Sequence, residues 1–160
     1  MLPQRFIDYV TLGLATTPGL LARIIGDTPA GDPRWDARPD PERFTLREVL
    51  AHLADWEVVF AERVRMTLDQ DRPILPDGNP SAAAVERGYD QQDPLENLAL
   101  FARRRAEFVA RIKTLTTEQY ARTALRPALN AEMSIFEQLA LMLGHDSYHV
   151  RQMLDGLPAS

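Results

Sequence analysis

Apolar residues recur every three to four positions along four long stretches of this 160-residue chain, and no stretch sustains the apolar-polar alternation of a half-buried strand. That periodicity restricts the fold to packed helices. The first stretch runs from about Pro3 to Ile25, with Phe6, Val10, Leu14, Leu21 and Ile25 along one side, and Pro18 is expected to kink it or to start a new turn after Thr17. The second opens on a capping box, Thr45 with Glu48 three positions on, with Phe44 placed to staple onto Val49, and runs to about Leu68. The third starts at Asp93 and Pro94 and carries Leu95, Leu98, Phe101, Phe108, Ile112 and Leu115 as its buried stripe. The fourth repeats the capping box with Ser134 and Glu137 and stops at Gly156 ahead of Pro158.

The connections Gly26 to Phe44, Asp69 to Gln92 and Thr116 to Met133 exceed the roughly 2–8 residues of ordinary bundle hairpins. Each can run the length of a helix and join parallel neighbours as readily as antiparallel ones, so helix order stays open. Thr117 to Tyr120 is expected to add a short helical turn. Residues 1–160 therefore read as one all-α domain, a four-helix bundle with long connections.

The chain has no cysteine, which removes disulfides, thiolate ligands and thiol nucleophiles; a metal must be held by nitrogen or oxygen. The net charge of −5 repels a phosphate backbone, and Arg103, Arg104 and Arg105 point three ways around a helix, so no nucleic-acid partner is expected. No window approaches the roughly 18 apolar residues of a bilayer span, and the first residues do not form a secretion signal, which leads to the expectation of no membrane partner and a cytoplasmic location. Nucleophile elbows, phosphate-binding glycine loops and dinucleotide fingerprints are absent from the sequence.

All three histidines fall in the two helices with capping boxes. His145 and His149, four residues apart, share one helix face and can converge on one metal, while His52 sits mid-helix beside Val49 and Trp56, where it can point across to a neighbour. A helical histidine taken singly is more often a satisfied core group, and an i, i+4 pair alone is not enough; the third mid-helix histidine adds the weight, because three buried imidazoles without partners would each be desolvated at a cost. Three neutral ligands leave a divalent cation its full charge and an open position for water, thiol or substrate. Zinc or nickel suits three nitrogens best, with manganese or iron also compatible. Asp55, Asp146 and Gln152 are candidates to accept the outer ring N–H of a ligand histidine. Asp55 and Glu57 are weaker candidates for a general base, Trp35, Trp56, Tyr89 and Tyr148 for lining a pocket, and the Arg72 to Pro80 stretch and the loop near Asn130 for its walls.

The run from Phe44 through His52 to Glu57 and the run from Gly144 through His145 and His149 to Met153 resemble the DinB-like metalloprotein superfamily, a resemblance that extends over essentially the whole chain. It implies a bundle with a divalent metal at one end, held by His52, His145 and His149. It also implies a small-molecule substrate and a homodimer. The activity it implies is transfer of a low-molecular-weight thiol such as bacillithiol or mycothiol to an electrophile. Metal-dependent hydrolysis, or non-catalytic ligand binding in a stress response, are the alternatives.

Overall fold

The computed structural model describes residues 2–157; Pro158, expected just past the last helix, lies outside them. Four long helices form the body: α1 (Gln4–Ile25), α2 (Leu46–Asp69), α4 (Pro94–Ile112) and α6 (Ile135–Gly156). Two shorter helices, α3 (Pro80–Arg87) and α5 (Thr117–Tyr120), and a hairpin of β1 (Thr123–Arg126) with β2 (Ala131–Ser134) occupy the connections. The starts of the long helices follow the expected chemistry. Thr45 and Ser134 each close a full capping box, and the Asp93 carboxylate accepts from the backbone of Leu95 and Glu96. Each such cap is worth about 1 kcal/mol, enough to fix where a helix begins but not how it packs.

Packing is set by two apolar layers. One joins Ile7 and Leu14 of α1, Phe60 and Val64 of α2, Phe108 and Ile112 of α4, and Leu139 of α6. The other joins Leu21, Leu46, Leu50, Phe101 and Met153. The early part of α1 and of α6 thus lies level with the late part of α2 and of α4. Because α1 and α2 each pack on both α4 and α6, the neighbours α2 and α4 run parallel, as do α1 and α6, and the chain never forms a simple hairpin of consecutive long helices. The long connections serve this order.

Three details depart from the sequence reading. The buried stripe of α1 runs through Ile7, Thr11, Leu14, Leu21 and Ile25, one position off Phe6, which is 47% exposed. The connections contain, besides the expected turn at Thr117 to Tyr120, the helix α3 and a hairpin: Asn79 caps α3 and Pro80 starts it, while Asn130, at φ 47°, turns the hairpin, a left-handed conformation that asparagine tolerates. Strands of four residues are too short to show an alternation. Finally, Pro18 does not interrupt α1. A proline lacks the N–H that would reach the carbonyl four residues back, here that of Leu14, and this carbonyl instead accepts a 2.9 Å hydrogen bond from Arg105 of α4.

Arg105 is 1% exposed. Besides Leu14 it grips Glu57 of α2 through Nε and Nη2 at 2.9 and 2.6 Å and Asp146 of α6, so one guanidinium joins all four long helices. Burial works against its charge, but the hydrogen bonds to two carboxylates outweigh that and keep it protonated. Burial also pushes the Glu57 carboxyl up, against the pull of Arg105, with the Asp146 charge adding to the rise, as expected where two acids share one cation. Replacing Arg105 by alanine strands two buried acids and a carbonyl, and is expected to lower the unfolding free energy by about 3–5 kcal/mol, read from urea denaturation; Arg65→Ala, whose ion pairs face solvent, should leave the midpoint in place.

Candidate metal centre

The antiparallel pairing of α2 and α6 sets His52, two turns into α2, level with the middle of α6. The far ends of the same pair are tied by Gln138, whose side-chain amide donates to Thr67. His145 and His149 stand one turn apart on the face of α6 that meets His52. The ring centroids lie 5.0 Å apart for His52 and His145, 5.1 Å for His52 and His149, and 4.6 Å for His145 and His149. One ligand nitrogen from each ring falls within 4.8 Å of the other two, a span that small side-chain rotations bring onto a single cation.

Ring orientation shows which nitrogens face inward. Nε2 of His52 is 2.8 Å from Nε2 of His145. Nδ1 of His149 is 3.3 Å from Oε1 of Gln152, and the Gln152 amide nitrogen donates to the Phe44 carbonyl at 2.6 Å. Because that N–H fixes which end of the amide is oxygen, Gln152 accepts from His149 Nδ1–H and leaves the His149 Nε2 lone pair directed at the cluster. Among the described residues, the Nδ1 atoms of His52 and His145 are buried without a hydrogen-bond partner. Burial pulls all three rings well below an ordinary histidine: His52 to about 2, with His149 and His145 adding to the shift, His145 to about 4, with Arg105 adding, and His149 to about 4, with His145 adding and Gln152 opposing. At neutral pH the cluster is three uncharged imidazoles with lone pairs to offer, the donor set of a nitrogen-ligated divalent cation.

The rings form the floor of an open cleft of about 340 Å³, walled by Phe44, Trp56, Pro80 and Tyr148, with Glu42, Arg43 and Ser81 at the rim. Trp56 packs on His52 at 4.6 Å between centroids and Tyr148 on His149 at 5.1 Å; the Arg43 guanidinium lies 5.2 Å over the Tyr148 ring. A smaller cleft beside it shares Arg43, Phe44 and Gln152 but reaches none of the histidines.

Residues 14–153 match the sequence profile of the DinB superfamily. The chain belongs to the DinB superfamily. Among its relatives, YfiT of Bacillus subtilis, named as a candidate metal-dependent hydrolase, is 25% identical over 129 residues, which cover 81% of this chain and 67% of YfiT. A Bacillus licheniformis protein with the same kind of name is 24% identical over 107 residues, 67% of this chain and 61% of its own length. The solved structure of B. subtilis YfiT, described as a probable metal-dependent hydrolase with an unusual four-helix bundle topology, superposes with a TM-score of 0.88 at 21% identity, covering 98% of this chain and 88% of that one. The four-helix bundle of this DinB-superfamily chain is thus shared with YfiT.

Of the other residues singled out from sequence, only some reach the cleft. Asp55 is turned away from the rings and binds Arg87 at 2.6 Å and the Tyr89 hydroxyl at 2.8 Å. Asp146 and Glu57 are held by Arg105. These three acids went to arginines because helix positions next to a core face reach neighbouring helices as easily as the ring beside them in sequence. Trp35 is fully buried in the core layer of Leu21, Leu50 and Phe101, its indole N–H on the Pro29 carbonyl, and Tyr89 packs with Ala51 and Ala84. Of the Arg72 to Pro80 stretch only Pro80 lines the cleft, and no residue of the Asn130 turn does. Sequence reasoning did not assign Phe44, Arg43 or Ser81 to the cleft; the short Asn79-Pro80 helix start that brings Ser81 there was the available signal.

The lowered histidine pKa values set the sign of a pH effect on the metal-free protein. The unfolded chain binds protons at about 6.5 and the folded one only near 4 or below. The contribution is full above pH 6.5 and is lost as pH falls through that value toward 4, with a slope of up to about 1.4 kcal/mol per pH unit for each ring. Thermal melts in chelator between pH 7.5 and 4.5 should show a steep fall for the wild type and a shallower one for His145→Phe.

Proposed function

We propose that this protein is a divalent-metal-dependent enzyme acting on small organic electrophiles, with His52, His145 and His149 holding the metal. The observation that carries the reading is the convergence of three uncharged imidazoles on the floor of an aromatic-walled cleft. Three nitrogen donors suit zinc or nickel first, then iron or manganese. Bound there, such a cation supplies Lewis acidity, favouring the ionised form of a thiol or water and polarising an electrophile.

The protein's own groups do the rest. Gln152 fixes the His149 tautomer and is itself held by the Phe44 backbone. Phe44, Trp56 and Tyr148 offer flat apolar surfaces to an organic substrate. Among the described residues, the acids next to the ligand histidines in sequence, Asp55, Glu57 and Asp146, are bound to arginines, and the one carboxylate lining the cleft, Glu42, stands at its rim. That supports a nucleophile needing no protein base, and a low-molecular-weight thiol of the bacillithiol or mycothiol type meets this condition. We therefore favour thiol S-transfer. Hydrolysis is the second reading, supported by the names of the relatives.

Protein purified without an affinity tag is expected to bind one zinc or nickel ion after metal stripping and reloading, and His149→Ala to bind it about 10-fold or more weakly; Gln152→Leu should lose about 10-fold in affinity or activity. Unchanged metal affinity in His149→Ala defeats the ligand assignment. A panel of bacillithiol, mycothiol and glutathione with a generic electrophile separates the two chemistries: adducts formed only with thiol support transfer, and thiol-independent cleavage supports hydrolysis.

A further inference from the structure

Beyond the Trp56 wall lie two more arginines that nothing in the site uses. Arg63 of α2 and Arg126 of β1 are 4% and 8% exposed. Neither forms an ion pair among the described residues, and the Nε of each is buried with no hydrogen-bond partner. The one side-chain hydrogen bond of Arg63 goes to the Pro76 carbonyl at 3.0 Å. This contrasts with Arg105, more deeply buried still, to which the fold supplies two carboxylates and a carbonyl.

Backbone geometry brings the two together. The segment Pro73 to Leu75 runs alongside β1, with the Leu125 N–H on the Pro73 carbonyl and the Leu75 N–H on the Leu125 carbonyl, at 2.8 and 2.9 Å. The inward positions of β1 are Ala124 and Arg126, so Arg126 points under the same loop that Arg63 holds at Pro76. Burial first, and then the Arg126 charge, pulls the Arg63 guanidinium down to about 10, with Asp77 opposing; Asp77, on the loop, forms no ion pair with either. Two like charges thus oppose each other across the loop, with Asp77 nearby but no ion pair to either among the described residues.

The same loop connects them to the histidines. A Cβ built on Gly78 would lie 2.9 Å from the six-membered ring of Trp56 and 3.9 Å from Nη2 of Arg63, so Gly78 is the residue that lets the loop close over both. Trp56 touches His52 on its other side, and Phe60 lies 5.9 Å from both the His145 ring and the Arg63 guanidinium carbon.

We infer that Arg63 and Arg126 form an oxyanion subsite, which receives a carboxylate, phosphate or sulfonate of a substrate whose reacting end lies at the three histidines. Guanidinium groups bind such oxygens through paired N–H donors, and the anion supplies the counterion and takes up the Nε donors that the fold leaves unmade. It enters where the Pro76 carbonyl now accepts from Arg63. The placement of the reacting end rests on the reading under Proposed function; the anion subsite does not.

The experiment titrates succinate and inorganic phosphate, against sodium chloride at equal ionic strength, into metal-loaded and metal-free protein, read by calorimetry and thermal shift. Saturable succinate binding is expected in both forms, weakened about 10-fold or more in Arg126→Met and Arg63→Met. Persistence in metal-free protein separates this result from the fate of the metal assignment. In anion-free buffer Arg126→Met should unfold at the same or a higher temperature, since it removes an uncompensated buried cation; Arg126 thus carries the test even where Arg63→Met fails to fold. Equal succinate responses in wild type and Arg126→Met, or a loss of stability in Arg126→Met without a change in anion binding, overturn the subsite. Binding of inorganic phosphate with none of succinate overturns its assignment to an organic substrate.

Discussion

The guanidinium of Arg105 is the constraint on which the arrangement of the bundle depends. It reaches the Leu14 carbonyl on α1, Glu57 on α2 and Asp146 on α6 from its own position on α4. Apolar layers tolerate small rotations and slides of a helix, because dispersion is not directional. Bonds of this length and number do not. Each long helix is held at one rotation, since turning any of them would strand a buried charge or carbonyl. Pro18 belongs to the same knot: by withholding its N–H from Leu14 it creates the acceptor that Arg105 takes, so a helix breaker by rule sits inside an uninterrupted helix.

The knot also sets the site. Glu57 follows His52 by five residues and Asp146 follows His145 directly. Fixing the first of each pair against Arg105 fixes the rotation of α2 and α6, and with it the direction in which the imidazoles point. The acids that adjacency in sequence offers as partners of the rings are thereby engaged elsewhere. What remains at the rings is uncharged nitrogen, aromatic surface and a single amide, that of Gln152, with its orientation set by the Phe44 backbone.

The parts legible in the sequence were those governed by local rules. Capping boxes at Thr45 and Ser134 and the aspartate cap at Asp93 located three helix starts, and the i, i+4 spacing of His145 and His149 placed two rings on one face. His52 was legible as a third ring from its mid-helix place beside Val49 and Trp56, from the Phe44 to Glu57 run, and because the chain holds no other histidine. The four-residue strands around Asn130 left no periodicity to read, and α3 gave only its Asn79-Pro80 start. Partner choice among charges was illegible for a different reason: Asp55, Glu57 and Asp146 each sit within reach of several helices, and which arginine they meet depends on helix order, which the long connections left open. Phe6 shows the same limit on a smaller scale, since a stripe displaced by one residue fits the periodicity almost as well.

The order of the helices has a consequence for biosynthesis. α1 packs chiefly on α4 and α6, and α2 on the same two, so the first pair to be made has its main burial surfaces waiting for segments that emerge later. Until residues 94–112 leave the ribosome, the apolar sides of both nascent helices have no lasting cover, and the lone carbonyl at Leu14 has no guanidinium. Compaction of this chain is therefore a late, long-range event, dependent on its second half, and the nascent first half is the form in which it is most exposed to aggregation and to chaperones.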